Sequence, residues 1–597
     1  MPGLLALFAV LFAANAFFSA ARHPHVPGAR ATFQQVDTLA RLSCTPFLAG
    51  AGADSLLKCA KLGQDEFERL RRRWSPSLGI YGPSPSCDAK TGGHCILFMS
   101  ERAGTLPRVV RETREELLAM LGVASEKLPT NDWITRQRVR YLIEAGRERE
   151  AMAVVQPCKL SERWLCPAIA GYALHRMALF QPSQDSFDVA LAAMPPDVRA
   201  EWTDISLFLD GEVRERYTHG SDELRQSLSR KFWWLSDPFY LTSANDRWTE
   251  HLSRHVVCRL YAGSRSGFGR RWGGRQDEVA LRHGLPDRWV DAHITIERVT
   301  RNVRMSYRGA AAYSSHTRRI IPRPSFLLDP TSIHPMDWIV ESEDPPASYD
   351  LNYVYKFVRL EHQVAVFVRG DSAIVVAAYD QTADPLWRNV VGDIGLILMR
   401  DERSRPFMVR TRTDEPRGVL IARVEAQPYL MSFEFLSQRK RCAARARYGL
   451  SIRKAVPLVF SLSDLLITRR SDPLPEDLGR ASTLARGSLR VRAGERLGLY
   501  WEGYGLGPDA ETLFVAVSLH RVGKGQYGRL EEVVFEDEPP INLKWDEVVP
   551  ARTKTWKRSM SLDLPDDLQP GLYVVYLVVK SYMREPVQQA RALLVQR

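Results

Sequence analysis

The sequence lacks a CxxC motif and, beyond its first residues, lacks any long apolar run. Structural zinc sites are commonly built from closely spaced cysteine pairs, so structural zinc is not predicted. No other pattern in the sequence leads us to predict a metal or a cofactor. A membrane-spanning helix needs about 18 or more consecutive apolar residues. No segment past the N-terminus meets that length, so a second membrane span is not expected.

The bulk composition is that of a folded globular protein, with 45% hydrophobic and 25% charged residues, which excludes wholesale disorder. A chain of 597 residues is too long for one core and suggests roughly three to five domains. The net charge of +12 is spread along the chain with acidic residues in between. No nucleic-acid partner is therefore predicted, although a mildly basic surface favours anionic polymers or membranes.

The N-terminus has the pattern of an export signal. Residues 2–21 carry no charge, and residues 4–14 form an unbroken apolar run, as in the hydrophobic region of a signal peptide. Small residues at 14–16 and 19–21 offer cleavage sites. We predict a signal peptide at 1–21 and a periplasmic or extracellular protein. The alternative is an uncleaved N-terminal membrane anchor, because the stretch is also long enough to span a bilayer.

The cysteines agree with an oxidising compartment. Six of the eight form three sequence-close pairs: Cys44 with Cys59, Cys87 with Cys95, and Cys158 with Cys166. In an exported protein such spacing predicts local disulfides. Cys258 and Cys442 have no near partner, and the sequence leaves open whether they pair across domains or remain buried thiols.

The N-terminal half is predicted to be α-helical over residues 22–230, because apolar residues recur there at helical spacing. Gly171, Phe187, Ala190 and Pro195 are spaced as in one tetratricopeptide repeat, in which a small residue lets two helices approach closely. We therefore predict TPR-like helical-hairpin repeats. An irregular helical domain is the alternative.

After about residue 345 the hydrophobic period changes to two, which predicts all-β sandwich modules. We assign one β-sandwich to residues 346–475 and an immunoglobulin-like (Ig-like) β-sandwich to 485–597, because short strands alternate with Gly and Pro turns. The segment 469–482 is predicted to be the linker. The C-terminal sandwich is expected to fold alone.

The segment between these halves, residues 231–345, resembles the GWxTD domain of bacterial envelope proteins. The pattern of that family runs FWxxxDP, a helix, the Gly-Trp-x-Thr-Asp signature, a short strand and a Tyr-Gly-x-Pro-Asp turn. The matching residues are Phe232, Trp233, Asp237, Pro238, Trp272, Gly284, Pro286 and Asp287. The signature itself departs from the family, because Arg271, Gly274 and Arg275 replace its glycine, threonine and aspartate.

The resemblance extends over roughly residues 225–597 and implies an exported protein with helical repeats, this α/β junction domain and β modules; it implies no activity. Physical chemistry suggests that the matched residues are structural. Asp237-Pro238 ends one helix and begins a turn, and Gly-x-Pro-Asp is turn chemistry. Trp233 and Trp272 are large enough to form the core of a small domain.

The leading hypothesis is a non-catalytic envelope protein that interacts with protein or polysaccharide partners. The alternative is an exported hydrolase whose site at the junction uses Asp237, Asp287 and nearby histidines, which would have to converge in a pocket. His251, His255 and Cys258 share a predicted helix face. The glutamate that zincin peptidases place after the first histidine is absent, so this face is not predicted to bind metal.

Two further motifs have structural explanations. Arg369-Gly370-Asp371 matches a tripeptide that some adhesins display, but a hairpin turn accounts for it. The segment 438–454 concentrates seven basic residues, and we expect a solvated strand and turn there. A patch for anionic polymers or lipid head groups is the alternative.

Overall fold

The computed structural model describes residues 42–43, 52–74, 77–80, 89–91, 94–99, 106–267, 272–298, 301–314, 322–334, 347, 349, 351, 353–522, 539–581 and 584–596. These residues form two compact units. The helical unit comprises the described residues up to 327 together with those at 347–353, and the β unit comprises 328–334 and 354–596. The predicted order, a helical N-terminal half followed by a β-rich C-terminal half, is confirmed at this level.

The helical unit contains eleven α-helices among its described residues. They are α1 (Ala53–Arg73), α2 (Arg108–Lys127), α3 (Asp132–Glu144), α4 (Glu148–Val155), α5 (Leu165–Arg176), α6 (Phe180–Ala193), α7 (Pro196–Thr203), α8 (Gly211–His219), α9 (Asp222–Ser236), α10 (Asp246–Tyr261) and α11 (Gly274–His283). Consecutive helices from α2 to α6 pack against each other, and α10 packs against α3, α5, α6, α9 and α11. Helix α10 is therefore central to the unit.

Local sequence signals begin several of these helices. The Asn131 side chain accepts a hydrogen bond from Ile134 N (3.1 Å) at the start of α3, and Asn245 accepts one from Trp248 N (3.0 Å) at the start of α10. Such caps satisfy backbone N–H groups that have no partner inside the helix.

Helices α5 and α6 approach closely at Gly171. A Cβ atom at this position would lie 2.9 Å from two ring atoms of Phe187. The Gly171 carbonyl also accepts a hydrogen bond from Ser183 Oγ on α6 (2.8 Å). Ala190, one of the other residues of α6, is fully buried. The small residue that the sequence pattern singled out therefore lies at a helix–helix contact.

A disulfide joins Cys158 to Cys166, with Cα atoms 5.7 Å apart, and so ties the end of α4 to α5. Cys95 is also disulfide-bonded; its predicted partner Cys87 lies outside the described residues, as does Cys44, the predicted partner of Cys59.

Residues 22–230 are not helical throughout, which corrects the prediction. The helical unit also has a five-stranded sheet made of β1 (Ser77–Ile80), β2 (Ala89–Thr91), β3 (His94–Met99), β4 (Arg288–Arg298) and β5 (Arg301–Ser314), in the order β1-β4-β5-β3-β2. Strands β1 and β3 pair in parallel with β4 and β5. Because strands from before and after residue 230 share backbone hydrogen bonds, the predicted boundary at 230/231 does not separate two folded bodies.

The described residues of the β unit form four sheets. Its elements are β6 (Lys356–Arg359), β7 (His362–Arg369), β8 (Ser372–Asp380), β9 (Gly392–Met399), β10 (Phe407–Thr413), β11 (Arg417–Glu425), β12 (Tyr429–Ser437), β13 (Cys442–Leu450), β14 (Ser461–Leu462), β15 (Leu466–Arg469), α12 (Leu478–Thr483), β16 (Arg490–Arg492), β17 (Arg496–Tyr504), β18 (Glu511–Arg521), β19 (Ile541–Val549), β20 (Thr555–Asp563), β21 (Gly571–Ser581) and β22 (Val587–Gln596). The first sheet has the order β10-β9-β12-β13-β6 and the second β11-β8-β7. The third contains β14, β15, β17 and β20, and the fourth has the order β16-β22-β21-β18-β19.

The four sheets form one continuous stack. Alternate residues of the second sheet are buried on opposite faces: Val375 packs in the core shared with the first sheet, whereas Phe367 and Val376 pack with Leu466 and Tyr500 of the third. A further core joins the third sheet to the fourth. Because side chains alternate along a strand, this central sheet can contribute to two cores at once.

The predicted boundaries of the two β modules are corrected by this stack. Strands β14 and β15 pair with β17, so residues 461–469 belong to the third sheet rather than to the first sandwich. The predicted linker at 469–482 contains most of α12, whose Leu478 and Ala481 are buried between the second and third sheets. A module starting at 485 would therefore lack two of its strands.

Candidate functional site

The GWxTD-like motif begins at the end of α9. Phe232 is fully buried and Trp233 is buried beside it, with their rings edge to face at 4.8 Å. The helix ends at Ser236, and Asp237 Oδ1 accepts a hydrogen bond from Phe239 N (3.1 Å). Asp237 and Pro238 are both buried in this turn. The aspartate is thus engaged with backbone, as expected for a turn-forming residue.

Helix α10 follows this turn and buries an unusual number of polar side chains. Those that are less than a tenth exposed are Asp246, Arg247, Thr249, His251, Ser253, Arg254 and His255. Polar groups of this kind are rarely buried unless each has a hydrogen-bond partner. The polar face of α10 is therefore the strongest candidate for a functional site in the helical unit.

Arg247 is fully buried in a cage of aromatic rings. Its guanidinium carbon lies 5.6 Å from the ring centres of Phe208 and Tyr349 and 5.8 Å from that of Trp233. None of its three side-chain nitrogens has a hydrogen-bond partner among the described residues. Burial lowers the pKa of this guanidinium to about 9, and neighbouring Arg254 adds to the effect. Attraction to the ring faces compensates only part of such a desolvation cost.

Asp246 lies next to Arg247 and is also fully buried. Its Oδ2 accepts hydrogen bonds from the hydroxyls of Tyr349 (2.7 Å) and Tyr353 (2.9 Å), while Oδ1 has no partner among the described residues. Burial raises the pKa of this carboxyl to about 6, although the two tyrosines oppose the shift. Sequence analysis missed this residue because Asn245-Asp246 has the appearance of an ordinary helix start.

The two histidines of α10 are buried against aromatic rings. His251 Nε2 lies 3.0 Å from the carbonyl oxygen of Trp202, and the His255 ring stacks on the Trp202 ring with centres 5.1 Å apart. Burial lowers both pKa values, that of His255 to about 3. Both side chains are therefore neutral at physiological pH. Among the described residues, no group of three or more His, Cys, Asp or Glu side chains could hold a metal ion.

Glu250 and Arg254 connect α10 to the second half of the motif. Glu250 accepts a hydrogen bond from Arg254 Nε (2.8 Å) and lies 2.8 Å from His175 Nε2. Burial would raise the pKa of Glu250, but Arg254 and His175 hold it well below its ordinary value. Arg254 also donates to the carbonyls of Leu281 (3.0 Å) and Arg282 (2.8 Å), which are the last turn of α11.

The remaining signature residues lie at the two ends of α11. Trp272 is buried before the helix, its ring centre 4.5 Å from that of Tyr261, and its Nε1 donates to Asp277 Oδ1 (2.5 Å). Gly284 ends the helix with φ of +77°, a conformation that glycine adopts without strain. Pro286 and the exposed Asp287 follow it. A helix thus stands where the family pattern has a short strand.

A second charged cluster, between α1, α3 and α10, shows how this fold pairs buried charges elsewhere. Arg140 is 1% exposed and donates to Glu68 (2.5 Å) and Glu144 (3.0 Å), and its guanidinium carbon lies 3.6 Å from the ring centre of Tyr261. Arg71 donates to the same two glutamates. These charges are mutually compensated, in contrast to that of Arg247.

Two sequence motifs of the β unit are used inside the fold. Arg369 forms a two-pronged ion pair with the fully buried Glu502 (2.5 and 2.9 Å), so this arginine is not displayed at the hairpin turn. In the basic segment 438–454, Arg447 is buried and pairs with Glu434 (3.0 Å), and Arg445 is buried as well. These two arginines are therefore not available to an anionic surface.

Comparisons with known proteins give only remote likenesses. No family model matches the chain, and no curated protein sequence matches it. Red sea bream transglutaminase is similar with a TM-score of 0.14 and 8% identity, over 54% of this chain and 42% of that one. A DUF3823 family protein from Bacteroides ovatus is similar with a TM-score of 0.15 and 11% identity, over 35% of this chain and 91% of that one. Likenesses of this size carry no argument about fold or activity.

Proposed function

We propose that this chain is an exported, non-catalytic protein of a bacterial cell envelope, related to GWxTD-domain proteins, which binds protein or polysaccharide partners. The observation that carries the proposal is how the fold uses the polar residues that the hydrolase alternative requires. Asp237 holds a turn, and His251 and His255 are packed against aromatic rings. Asp287, the second carboxylate of the hydrolase alternative, is instead exposed before β4. These positions favour structural roles.

Export is supported by the disulfide between Cys158 and Cys166, because such bonds persist mainly in oxidising compartments. The predicted signal peptide, residues 1–21, lies outside the described residues. None of the helices in the described part of the chain is long and apolar enough to cross a membrane.

The close packing of α5 on α6 at Gly171 and Phe187 supports a TPR-like arrangement of the helical unit. The packing of β-sheets face to face around shared apolar cores supports Ig-like modules in the β unit. Both are architectures that commonly present surfaces to partners.

The β unit also has exposed sheet edges. Strand β10 is at the edge of the first sheet and β19 at the edge of the fourth. Phe407 on β10 is 41% exposed and Val548 on β19 is 67% exposed. Edge strands with exposed apolar residues are sites at which a partner strand can add.

One specific observation still supports the hydrolase alternative: burial raises the pKa of Asp246. Buried carboxyls with raised pKa values are common at catalytic sites. Its orphaned Oδ1 and the neighbouring Arg247 would be the reactive groups, in place of Asp237 and Asp287.

The test uses the full chain, expressed with residues 1–21 in a Gram-negative bacterium and purified from the periplasm. Isolated cell envelopes are titrated with the protein, and both sedimented protein and released soluble fragments are measured. We expect saturable binding without released fragments. Release that is lost in Asp246→Asn would establish the hydrolase alternative, and failure of the chain to reach the periplasm would refute export.

A further inference from the structure

An open pocket of about 450 Å³ lies in the β unit at one end of the first and second sheets. It is formed where β9 and β11 end and where β10 and β12 begin. Its volume is within the range of sites that hold small ligands, about 300–1,000 Å³.

Three arginines surround this pocket. Arg400, Arg405 and Arg423 all line it, and all three are exposed. In the described part of the chain none of them forms an ion pair with a carboxylate, whereas other arginines of the β unit do, among them Arg369, Arg486, Arg490 and Arg496. The lining contains one carboxylate, that of Glu425, so the three arginines leave an excess of positive charge that attracts anions.

Two nearby carboxylates accept hydrogen bonds from neutral groups and keep their charge. Glu425 lines the pocket, but its Oε2 accepts a hydrogen bond from Gln427 Nε2 (3.1 Å). Asp401 accepts hydrogen bonds from the backbone N–H groups of Arg403 (2.9 Å) and Ser404 (2.7 Å). Because Asp401 holds this turn, it fixes the loop that carries Arg400 and Arg405. A preformed loop lowers the entropy cost of binding.

Aromatic and amide groups complete the lining. Phe407 is 41% exposed, and the largely buried Tyr429 also lines the pocket. Gln427 Nε2 also donates to the Tyr429 hydroxyl (3.0 Å). The apolar face of a sugar ring packs on aromatic rings, while guanidinium groups bind carboxylates with two parallel hydrogen bonds.

We propose that this pocket binds a uronic-acid residue of an acidic polysaccharide, with the carboxylate held by Arg400, Arg405 and Arg423 and the sugar ring packed on Phe407. The proposal rests on the proposed function, since it specifies the polysaccharide partner of an envelope protein. A phosphate-bearing glycan shares part of this chemistry, because a phosphate also pairs with arginine. A phosphate group alone would not engage the exposed ring.

The probes are trigalacturonate, its neutral methyl ester, and inorganic phosphate, each titrated calorimetrically into the full-length mature protein. We expect trigalacturonate to bind with an affinity that falls as salt rises from about 20 to 200 mM, because salt screens the ionic contacts. The methyl ester and inorganic phosphate should bind at least about tenfold more weakly, since each lacks either the charge or the sugar ring.

The variants are Arg400→Gln, Arg405→Gln and Arg423→Gln, each removing one pocket charge. The matched control is Arg412→Gln on β10, which is exposed and does not line the pocket. Each pocket variant should weaken trigalacturonate binding by about tenfold, the usual loss for one charge-assisted hydrogen bond. The control should change it by less than about twofold, within the usual effect of an exposed charge.

Three outcomes would overturn the inference. They are equal losses in Arg412→Gln and the pocket variants, phosphate binding as tight as trigalacturonate, and no trigalacturonate binding at low salt. If the protein still sediments with envelopes in the Arg423→Gln variant while trigalacturonate fails to bind, the pocket assignment is wrong and the proposed function stands. If the protein does not sediment with envelopes at all, the proposed function fails. The pocket assignment is then accepted or rejected by the trigalacturonate titration alone.

Discussion

Replacing Gly171 by alanine should destabilise the helical unit, although alanine is the better helix former. A Cβ atom at this position would lie 2.9–3.0 Å from three ring atoms of Phe187. The Phe187 side chain is fully buried, so the ring has no free space into which it can move. The added methyl group therefore pushes α5 and α6 apart.

The magnitude follows from two opposing effects. Overpacking a buried site costs about 1–3 kcal/mol, and three contacts with a rigid ring put this site in the upper part of that range. Alanine gains about 0.5–1 kcal/mol over glycine inside a helix. The net loss should be about 1–2 kcal/mol. Gly122 is the matched control, because it is also helical and has nothing within 4 Å of an added Cβ. Gly122→Ala should stabilise the unit by about 0.5–1 kcal/mol.

The assay is urea unfolding, followed by circular dichroism at a helix-sensitive wavelength. It compares five proteins: wild type, the two alanine variants, Phe187→Leu, and the double variant that combines Gly171→Ala with Phe187→Leu. Shortening the ring removes the obstruction, so alanine at 171 should be neutral or stabilising in that background. The double-mutant cycle should then give a coupling energy of about 1–2 kcal/mol. An alanine at 171 that stabilises the wild-type background as much as at 122 would refute the close packing of α5 on α6 and remove the support for TPR-like hairpins.

The remaining predictions concern a buried acid, a disulfide and a module boundary. Burial raises the pKa of Asp246 from 3.8 to about 6, so the folded protein binds the proton more tightly. Stability should then fall by about 2 kcal/mol as pH rises from about 4 to 6. Urea unfolding at both pH values should show no such fall in Asp246→Asn. Reduction of the Cys158–Cys166 disulfide, which closes a loop with a sequence separation of 8, should cost about 2–3 kcal/mol; non-reducing peptide mapping that finds free thiols would contradict it. A fragment of residues 487–597 should unfold without a cooperative thermal transition, because β17 loses its partners β14 and β15. The longer fragment 455–597 should unfold cooperatively. Equal melting curves for the two fragments would contradict the pairing of β14 and β15 with the third sheet.

Local features were predictable where short-range chemistry determines them. The cap at Asn131 and the cysteine pair at Cys158 and Cys166 follow from neighbouring residues. The contact at Gly171 follows from a spacing within one helical hairpin. In each case the partners lie within about one supersecondary unit, where sequence patterns are most informative.

Features that depend on distant partners were missed. Strands β1 and β3 pair with strands that lie about two hundred residues later, so no local pattern marks them as one sheet. The segment 469–482 has the composition of a linker, yet Leu478 and Ala481 fill a core that is completed by Phe367 and Tyr500. Polar composition indicates a loop only when no distant surface covers its few apolar residues.

The candidate site on α10 could not be predicted for the same reason. Asp246 and Arg247 stand at a helix start, where charged residues are normally solvated. Their burial depends on Tyr349, about a hundred residues later, which contacts both side chains. Only the three-dimensional fold therefore changes an ordinary helix start into a buried pair of ionisable groups.

The two buried arginines of the helical unit differ in how their charge is compensated. Arg140 meets Glu68 and Glu144, so pairing offsets the cost of removing its charge from water. Arg247 lies against ring faces and has no hydrogen-bond acceptor among the described residues, although the charges of Glu250 and Asp246 oppose the lowering of its pKa. Folding alone does not require such an arrangement, because an apolar side chain of similar size would pack there at lower cost. Uncompensated buried groups persist mainly where a protein uses them. The partly unsatisfied pair of Asp246 and Arg247 at the start of α10 therefore costs the fold stability.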